Sequence, residues 1–149
     1  MQEVKEAAGS IKIQFRFAAK EDESFIYNSW LKSFRDSDSV KHITNTVFYK
    51  RHHALIEKLM TKSSVLLAVN PEDPSQIMGY VCFDVIDDVL LLHYVYVKQT
   101  YRSLNVATSL LKAVNPNFGK TGFVFTQMSK TGKSLYTRYL GVYDPYLID

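Results

Sequence analysis

The run from His93 to Leu111 constrains the fold more than any other part of the chain, because its periodicity changes within a few residues. It begins with β-branched, aromatic and other apolar residues, which predict a buried strand. After a short polar turn, Val106, Leu110 and Val114 recur at helical spacing. A strand that feeds a tight turn and a helix start presents unpaired N–H groups, and the helix dipole favours an anion there. The stretch therefore predicts an α/β chain with an anion-binding turn.

The remaining segments also show strand and helix patterns. We predict strands over residues 11–17, 65–69, 77–85, 89–97 and 122–127, helices beginning near residues 21, 46, 106 and 133, and a last strand over 143–148. The strands at 77–85 and 89–97 should pair as a hairpin, and Gly141 should end the last helix as its C′ residue. Residues 1–10 are expected to be a flexible N-terminal segment, and residues 11–149 a single domain.

Composition narrows the function classes. The chain has 149 residues and a net charge of +3, without the basic block or stripe typical of nucleic-acid binding. A single cysteine, Cys82, excludes an internal disulfide and fits a reducing compartment, so we expect a cytoplasmic protein. No apolar run approaches membrane-spanning length, and the N-terminus lacks a signal-peptide pattern. We therefore expect neither a membrane nor a nucleic acid as a partner.

The turn from Tyr101 to Ala107 resembles the pyrophosphate loop of the GNAT family of N-acetyltransferases, whose pattern is Gln/Arg-x-x-Gly-x-Gly/Ala. Arg102 matches the first position of the pattern and Ala107 the last. Asn105 stands where the family usually has glycine, and asparagine is the non-glycine residue that best tolerates a positive φ. The predicted order β-α-α-β-β-β-α-β-α-β is also similar to that family's, so the resemblance covers nearly the whole chain.

The resemblance implies a fold and a cofactor. The fold would be an α/β (α+β) domain with a mixed, mostly antiparallel central sheet, flanked by about four helices and splayed open at the acyl-coenzyme site. The co-substrate would be acetyl-coenzyme A, without a metal, and the acceptor an unidentified amine, either a small molecule or a protein amine. The cofactor-binding residues so implied are Val95, Tyr96, Val97, Arg102, Ser103, Leu104, Asn105, Val106, Ala107 and Thr108. Residues 30–38 and 40–46 would contact the acceptor, and the chain would be a monomer or homodimer.

Three residues are candidates for the chemistry of direct acetyl transfer. By resemblance, Tyr136 would be the general acid that protonates the leaving thiolate, since a phenol is protonated at neutral pH. The N–H of Val95 would stabilise the tetrahedral oxyanion, and the Thr108 hydroxyl would be an extra donor to the pyrophosphate. His93 lies two residues before Val95 and should share its strand face, so it could act as the base. Core packing is the structural alternative for both His93 and Tyr136.

Two other sequence patterns do not support a functional site. The Gly-Lys-Thr and Gly-Lys-Ser triplets at 119–121 and 132–134 lack the earlier glycine of a P-loop. His52 and His53 are adjacent on a predicted helix and point in different directions, so they do not form a metal pair. The main alternative to an acetyltransferase is a non-catalytic module of the same fold, which keeps acyl-coenzyme binding for regulation or protein interaction. Coenzyme binding followed by a thiol-release assay distinguishes the two.

Overall fold

The apolar runs of the sequence become strands of one sheet, packed on both faces by helices. The computed structural model describes residues 3–7, 11–102, 104–129 and 132–148, with side chains described in the same ranges except residues 3–7 and 134. The elements are β1 Glu3–Ala7, β2 Ile11–Phe17, α1 Glu23–Phe34, α2 Asn45–Lys62, β3 Ser64–Asn70, β4 Asp73–Ile86, β5 Val89–Val97, α3 Val106–Val114, β6 Phe123–Phe125, α4 Lys133–Arg138 and β7 Gly141–Tyr143. Short 3-10 helices span Lys20–Asp22, Gln99–Tyr101 and Pro145–Ile148.

The sheet is mixed and mostly antiparallel, as the sequence predicts. Over the described residues it has seven strands in sequential order, antiparallel from β1 to β5 and parallel from β5 to β7. The predicted hairpin forms between β4 and β5. Its turn places Asp87 and Asp88 at φ 51° and 64°, which is the backbone that a two-residue type I′ hairpin requires.

Alternation along the central strands sends side chains into two separate cores. On one face, Tyr80 and Tyr94 pack against α1 and α2 through buried residues such as Trp30. On the other face, Val81 and Val95 pack with the residues of α3 and α4. Because successive strand residues point to opposite faces, neighbouring residues of β5 such as Tyr94 and Val95 belong to different cores.

A β-bulge at His93 changes the expected alternation. Leu92 lies opposite Phe83, and Tyr94 lies opposite Cys82, so His93 is an extra residue in β5. Its ring bonds Asp84, which lies on the same strand face as Cys82 and therefore on the face of α1 and α2. The prediction that His93 and Val95 share a face is wrong, because the bulge breaks the two-residue period between them.

Both terminal segments contain elements that the sequence patterns do not predict. Within residues 1–10, predicted to be a flexible segment, Glu3–Ala7 forms an edge strand antiparallel to β2, whereas residues 1, 2 and 8–10 lie outside the described residues. The predicted last strand over 143–148 is wrong, because β7 occupies Gly141–Tyr143 and the following residues form a 3-10 helix. Leu140, at φ 63°, takes the left-handed position expected for Gly141. Gly141 is required for packing instead, since a Cβ there would lie 2.8 Å from the Phe123 ring.

Candidate active site

The sheet opens between β5 and β6. Among the described residues, these strands pair at Leu91 with Val124 and at Leu92 with Phe125. The Thr126 N–H still donates to the Leu92 carbonyl at 3.0 Å, but β5 continues to Val97 while the β6 segment leaves the sheet. The predicted strand over 122–127 is therefore shorter than expected, and the predicted splay of the sheet lies beside Val95.

The backbone of β5 faces this gap at alternate residues. The Lys98 N–H donates to the Met78 carbonyl at 2.8 Å, so the backbone N–H and C=O groups of residues 98 and 96 point toward β4. Val95 and Val97 occupy the intervening pairs, and their N–H and C=O groups therefore point away from β4 into the gap. The Val97 carbonyl accepts a bond of 3.0 Å from Arg102 Nε, which is consistent with this direction. The gap is thus an open sheet edge with hydrogen-bonding capacity.

A cavity of about 380 Å³ lies against this edge on the side of α3 and α4. Its lining comes from β5, the turn, the first turn of α3 and the α4 region: Val95, Val97, Tyr101, Arg102, Asn105, Val106, Ala107, Thr108, Gly132, Leu135, Arg138 and Tyr139. Seven of the predicted cofactor-binding residues are therefore brought together around one space. Among the described lining residues there is no acidic side chain, whereas Arg102 and Arg138 are cationic. The cavity suits an anionic ligand.

Asn105 starts helix α3 with φ 59° and ψ 25°, the left-handed backbone expected at the position where the GNAT pattern has glycine. The first hydrogen bond of the helix runs from Ser109 N–H to the Asn105 carbonyl. The N–H groups of Ala107 and Thr108 precede that bond and line the cavity, where an anion can accept from them. The Thr108 hydroxyl, predicted as an extra donor to the pyrophosphate, donates to the Asn105 carbonyl at 3.1 Å, and its role toward a ligand stays a prediction.

The strain at Asn105 predicts a graded effect on stability. Asn105 is exposed, so substitutions there act mainly through the backbone. We expect Asn105→Val to lower the free energy of unfolding by about 1–2 kcal/mol, because a β-branched residue disfavours the left-handed region. Asn105→Gly should be at least as stable as the wild type, and urea unfolding measures both. Equal stability of the valine and glycine variants would contradict the assigned backbone.

Tyr136 lies immediately behind the cavity wall. Its side chain is 2 % exposed and stacks on Phe125 at 3.9 Å between ring centroids. The hydroxyl pairs with Ser129 Oγ at 3.4 Å, and a Cβ on Gly132, which lines the cavity, would lie 2.6 Å from it. Burial raises the pKa of Tyr136 to about 12, so the phenol keeps its proton throughout the neutral range. Gly132 therefore adjoins both the Tyr136 hydroxyl and the cavity.

His93 is held by side-chain bonds on both ring nitrogens. Nδ1 lies 2.8 Å from Thr126 Oγ1 and Nε2 lies 2.9 Å from Asp84 Oδ2, which also accepts from Ser63 Oγ at 2.6 Å. Burial lowers the pKa of His93, although the Asp84 carboxylate opposes that shift. Because both ring nitrogens are already bonded to side chains, these contacts favour the structural role that the sequence left open.

The remaining predicted cofactor-binding residues lie away from the cavity or outside the described residues. Tyr96 packs on the opposite face, against Phe25 and Tyr80, and Leu104 packs into the core beneath α3. Ser103 lies outside the described residues. Leu135, Arg138 and Tyr139 also line the cavity but were not predicted to do so. Their spacing places them on one face of α4 and its C-cap, which is the signal that could have indicated them.

Comparison with known families identifies this architecture. The sequence profile of the acetyltransferase (GNAT) family matches residues 20–141. The chain belongs to the GNAT family. The match runs from the 3-10 helix before α1 to the start of β7, and so includes the whole of the cavity described above.

Solved structures show the same GNAT fold at low sequence identity. A protein from Corynebacterium glutamicum, described as a histone acetyltransferase and related acetyltransferase, is 15 % identical with a TM-score of 0.59, covering 83 % of this chain and 81 % of that chain. A ribosomal-protein-alanine N-acetyltransferase from Brucella melitensis is 12 % identical with a TM-score of 0.55, covering 85 % and 89 %. A possible acetyltransferase from Clostridium difficile is 17 % identical with a TM-score of 0.54, covering 84 % and 87 %. No curated protein sequence matches this chain significantly.

The described residues contain no group of three or more histidine, cysteine or acidic side chains placed to hold a metal ion. No helix in the described part of the chain combines the length and apolar character needed to cross a bilayer.

Proposed function

We propose that this GNAT chain is an N-acetyltransferase that moves an acetyl group from acetyl-coenzyme A to an amine by direct attack in a ternary complex. The observation that supports this most strongly is the cavity itself. It joins three features on adjacent elements: free N–H groups at the start of α3, two arginines and an open β5 edge. Coenzyme A has groups that match these features, because its pyrophosphate is followed by a pantetheine arm that contains amides.

The pyrophosphate would bind at the first turn of α3. Ala107 and Thr108 offer backbone donors there, and the helix dipole adds a favourable field. Arg102 and Arg138 line the same space and would contribute positive charge. The pantetheine arm would then pair with the β5 edge as an added strand, through the backbone of Val97.

The acyl group would reach Val95 at the point where β5 and β6 separate. The N–H of Val95 points into the gap and would stabilise the oxyanion that forms when the amine nitrogen attacks the thioester carbonyl. The attack forms the new C–N bond, and collapse of the tetrahedral intermediate then restores the carbonyl and breaks the C–S bond. The departing coenzyme thiolate takes the hydroxyl proton of Tyr136, and solvent then restores the phenol. The proton lost by the amine nitrogen passes to solvent, because His93 is bonded elsewhere.

A two-stage experiment tests the proposal. Titration calorimetry with acetyl-coenzyme A should show one site per chain, and a thiol-release assay should then show turnover with members of a panel of primary amines. Binding without thiol release from any amine would favour the non-catalytic module. Absence of binding would overturn both the coenzyme site and the enzymatic assignment.

A further inference from the structure

The Ser129 hydroxyl lies between the Tyr136 side chain and the start of α4. Its Oγ atom is 3.4 Å from the Tyr136 hydroxyl oxygen, and it accepts a hydrogen bond of 3.1 Å from the Gly132 N–H. Ser129 is buried, with 1 % of its surface exposed. These two contacts hold the serine hydroxyl directly beside the phenol that donates the proton in the proposed mechanism.

The hydrogen-bonding capacity of Ser129 suits it to support the loss of that proton. A serine hydroxyl has one hydrogen to donate and two lone pairs that accept. The Gly132 N–H can only donate, so it uses an acceptor position of Ser129 and leaves the serine hydrogen available to Tyr136. A phenolate oxygen can only accept. Once Tyr136 has given up its proton, the hydrogen bond between the two side chains must therefore run from Ser129 to Tyr136.

The apolar surroundings of Tyr136 make this hydrogen bond important. The side chain is buried and stacks on Phe125, and its ring centroid lies 6.3 Å from that of Phe123, so a negative charge on the phenol oxygen is poorly solvated. Burial raises the pKa of Tyr136 to about 12, and the hydrogen bond with Ser129 opposes this rise. Because hydrogen bonds to ionised groups are shorter and stronger than neutral ones, we expect the 3.4 Å contact to tighten as the phenol loses its proton.

Gly132 allows the two hydroxyls to lie close to the coenzyme cavity. It lines the cavity, and a Cβ atom at this position would lie 2.5 Å from Ser129 Oγ and 2.6 Å from the Tyr136 hydroxyl. The Gly132 backbone, at φ −85° and ψ −11°, lies in the right-handed region that other residues also adopt. The absence of a side chain at Gly132 is therefore required by these contacts and not by the backbone.

We propose that Ser129 is a positioning residue for Tyr136: it directs its hydrogen to the phenol oxygen and stabilises the phenolate that forms when the proton passes to the coenzyme thiolate. This inference rests on the proposed acetyltransferase function. In this step the O–H bond of Tyr136 breaks and an S–H bond forms on coenzyme A. Ser129 keeps its own proton, and solvent returns a proton to the phenolate. The alternative is a packing role, in which Ser129 only satisfies the Gly132 N–H at the start of α4.

A double-mutant cycle between Ser129 and Tyr136 separates the two roles. Thiol release is measured with the full chain at saturating acetyl-coenzyme A and a primary amine that the wild type acetylates. Ser129→Ala should lower kcat about tenfold and leave the Kd of acetyl-coenzyme A within about twofold. In the Tyr136→Phe background, where the phenol oxygen is absent, the same change should alter kcat by less than about twofold. A packing role would instead lower kcat by the same factor in both backgrounds.

Two further variants complete the test. Asn115→Ala is the matched control, because Asn115 Oδ1 also accepts from a backbone N–H, that of Asn117 at 3.0 Å, and does so outside the cavity lining. It should leave kcat within about twofold. Ser129→Cys keeps a similar side-chain shape with a weaker donor, so it should also lower kcat and serves if Ser129→Ala does not fold. Its turnover is followed by chromatography of coenzyme A, because a new cysteine could react with a thiol reagent.

The inference is overturned if the Ser129 variants keep kcat within about twofold, or if the loss is equal in both Tyr136 backgrounds. It is also overturned if Ser129→Ala weakens acetyl-coenzyme A binding as much as it lowers kcat, since Ser129 would then act on the coenzyme. Failure of the wild type to bind acetyl-coenzyme A or to release thiol overturns the proposed function first, and is seen before any variant is compared.

Discussion

Replacing Ala107 by glutamate should weaken acetyl-coenzyme A binding by about 100-fold, equivalent to about 2.7 kcal/mol. Ala107 lies in the first turn of α3 and lines the cavity where the pyrophosphate is proposed to bind. A carboxylate there would occupy the N–H groups and repel the phosphates, and like charges about 4 Å apart at a protein surface repel by about 4 kcal/mol before salt screening. Titration calorimetry at low and at physiological salt measures the loss, which should be smaller at the higher ionic strength.

Two control variants test whether the loss of affinity in Ala107→Glu comes from the local charge. One controls for side-chain size and the other for the net charge of the protein. Ala107→Gln introduces a side chain of the same length without the charge, so it should lose much less affinity than the glutamate. Lys112→Ala, on the exposed side of the same helix, also lowers the net charge by one and should leave affinity within about twofold. The glutamate should not unfold the helix, since an acidic residue in the first turn is favourable to the dipole. Wild-type affinity in Ala107→Glu would place the pyrophosphate elsewhere.

The turn and its helix could be predicted from the sequence because their determinants are local. A left-handed residue at Asn105, small side chains after it and an apolar helix face all appear within one short run. The mixed sheet follows similarly, since each strand carries its own apolar pattern. The residues of β5 and α3 that line the cavity are therefore among those predicted from the sequence, whereas those of α4 are not.

The errors arise where one residue changes the register or where contacts are distant in sequence. The extra residue in β5 moves His93 to the other face, and no local pattern signals a bulge of this kind. His52 and Gln127 come from elements far apart in the chain, so their meeting depends on the packing of α2 against the sheet. From the sequence, His52 shares a helix face with Phe48, Leu55 and Leu59 and is excluded from a metal pair with His53. Its stacking between two phenylalanine rings became visible only in the folded chain.

Tyr136→Phe should lower kcat by about 100-fold while the Kd of acetyl-coenzyme A stays within about twofold. The side chain is buried and stacked on Phe125, so phenylalanine keeps the packing and removes only the hydroxyl. In the proposed mechanism, loss of that hydroxyl would leave the coenzyme thiolate without its proton donor as the C–S bond breaks. A thiol-release assay measures kcat, and calorimetry measures binding with the same preparation.

The control for this loss is a second tyrosine on the same wall. Tyr139 lines the cavity one helical turn away, and Tyr139→Phe should lower kcat only a few fold if Tyr136 is the acid. The pH profile adds a readout that a packing defect would not reproduce. An acid with a pKa of about 12 is protonated below that value, so the wild type should keep this step up to at least pH 10. If Tyr136→Phe retained the wild-type kcat, the buried phenol would be a core residue and the proton would come from water.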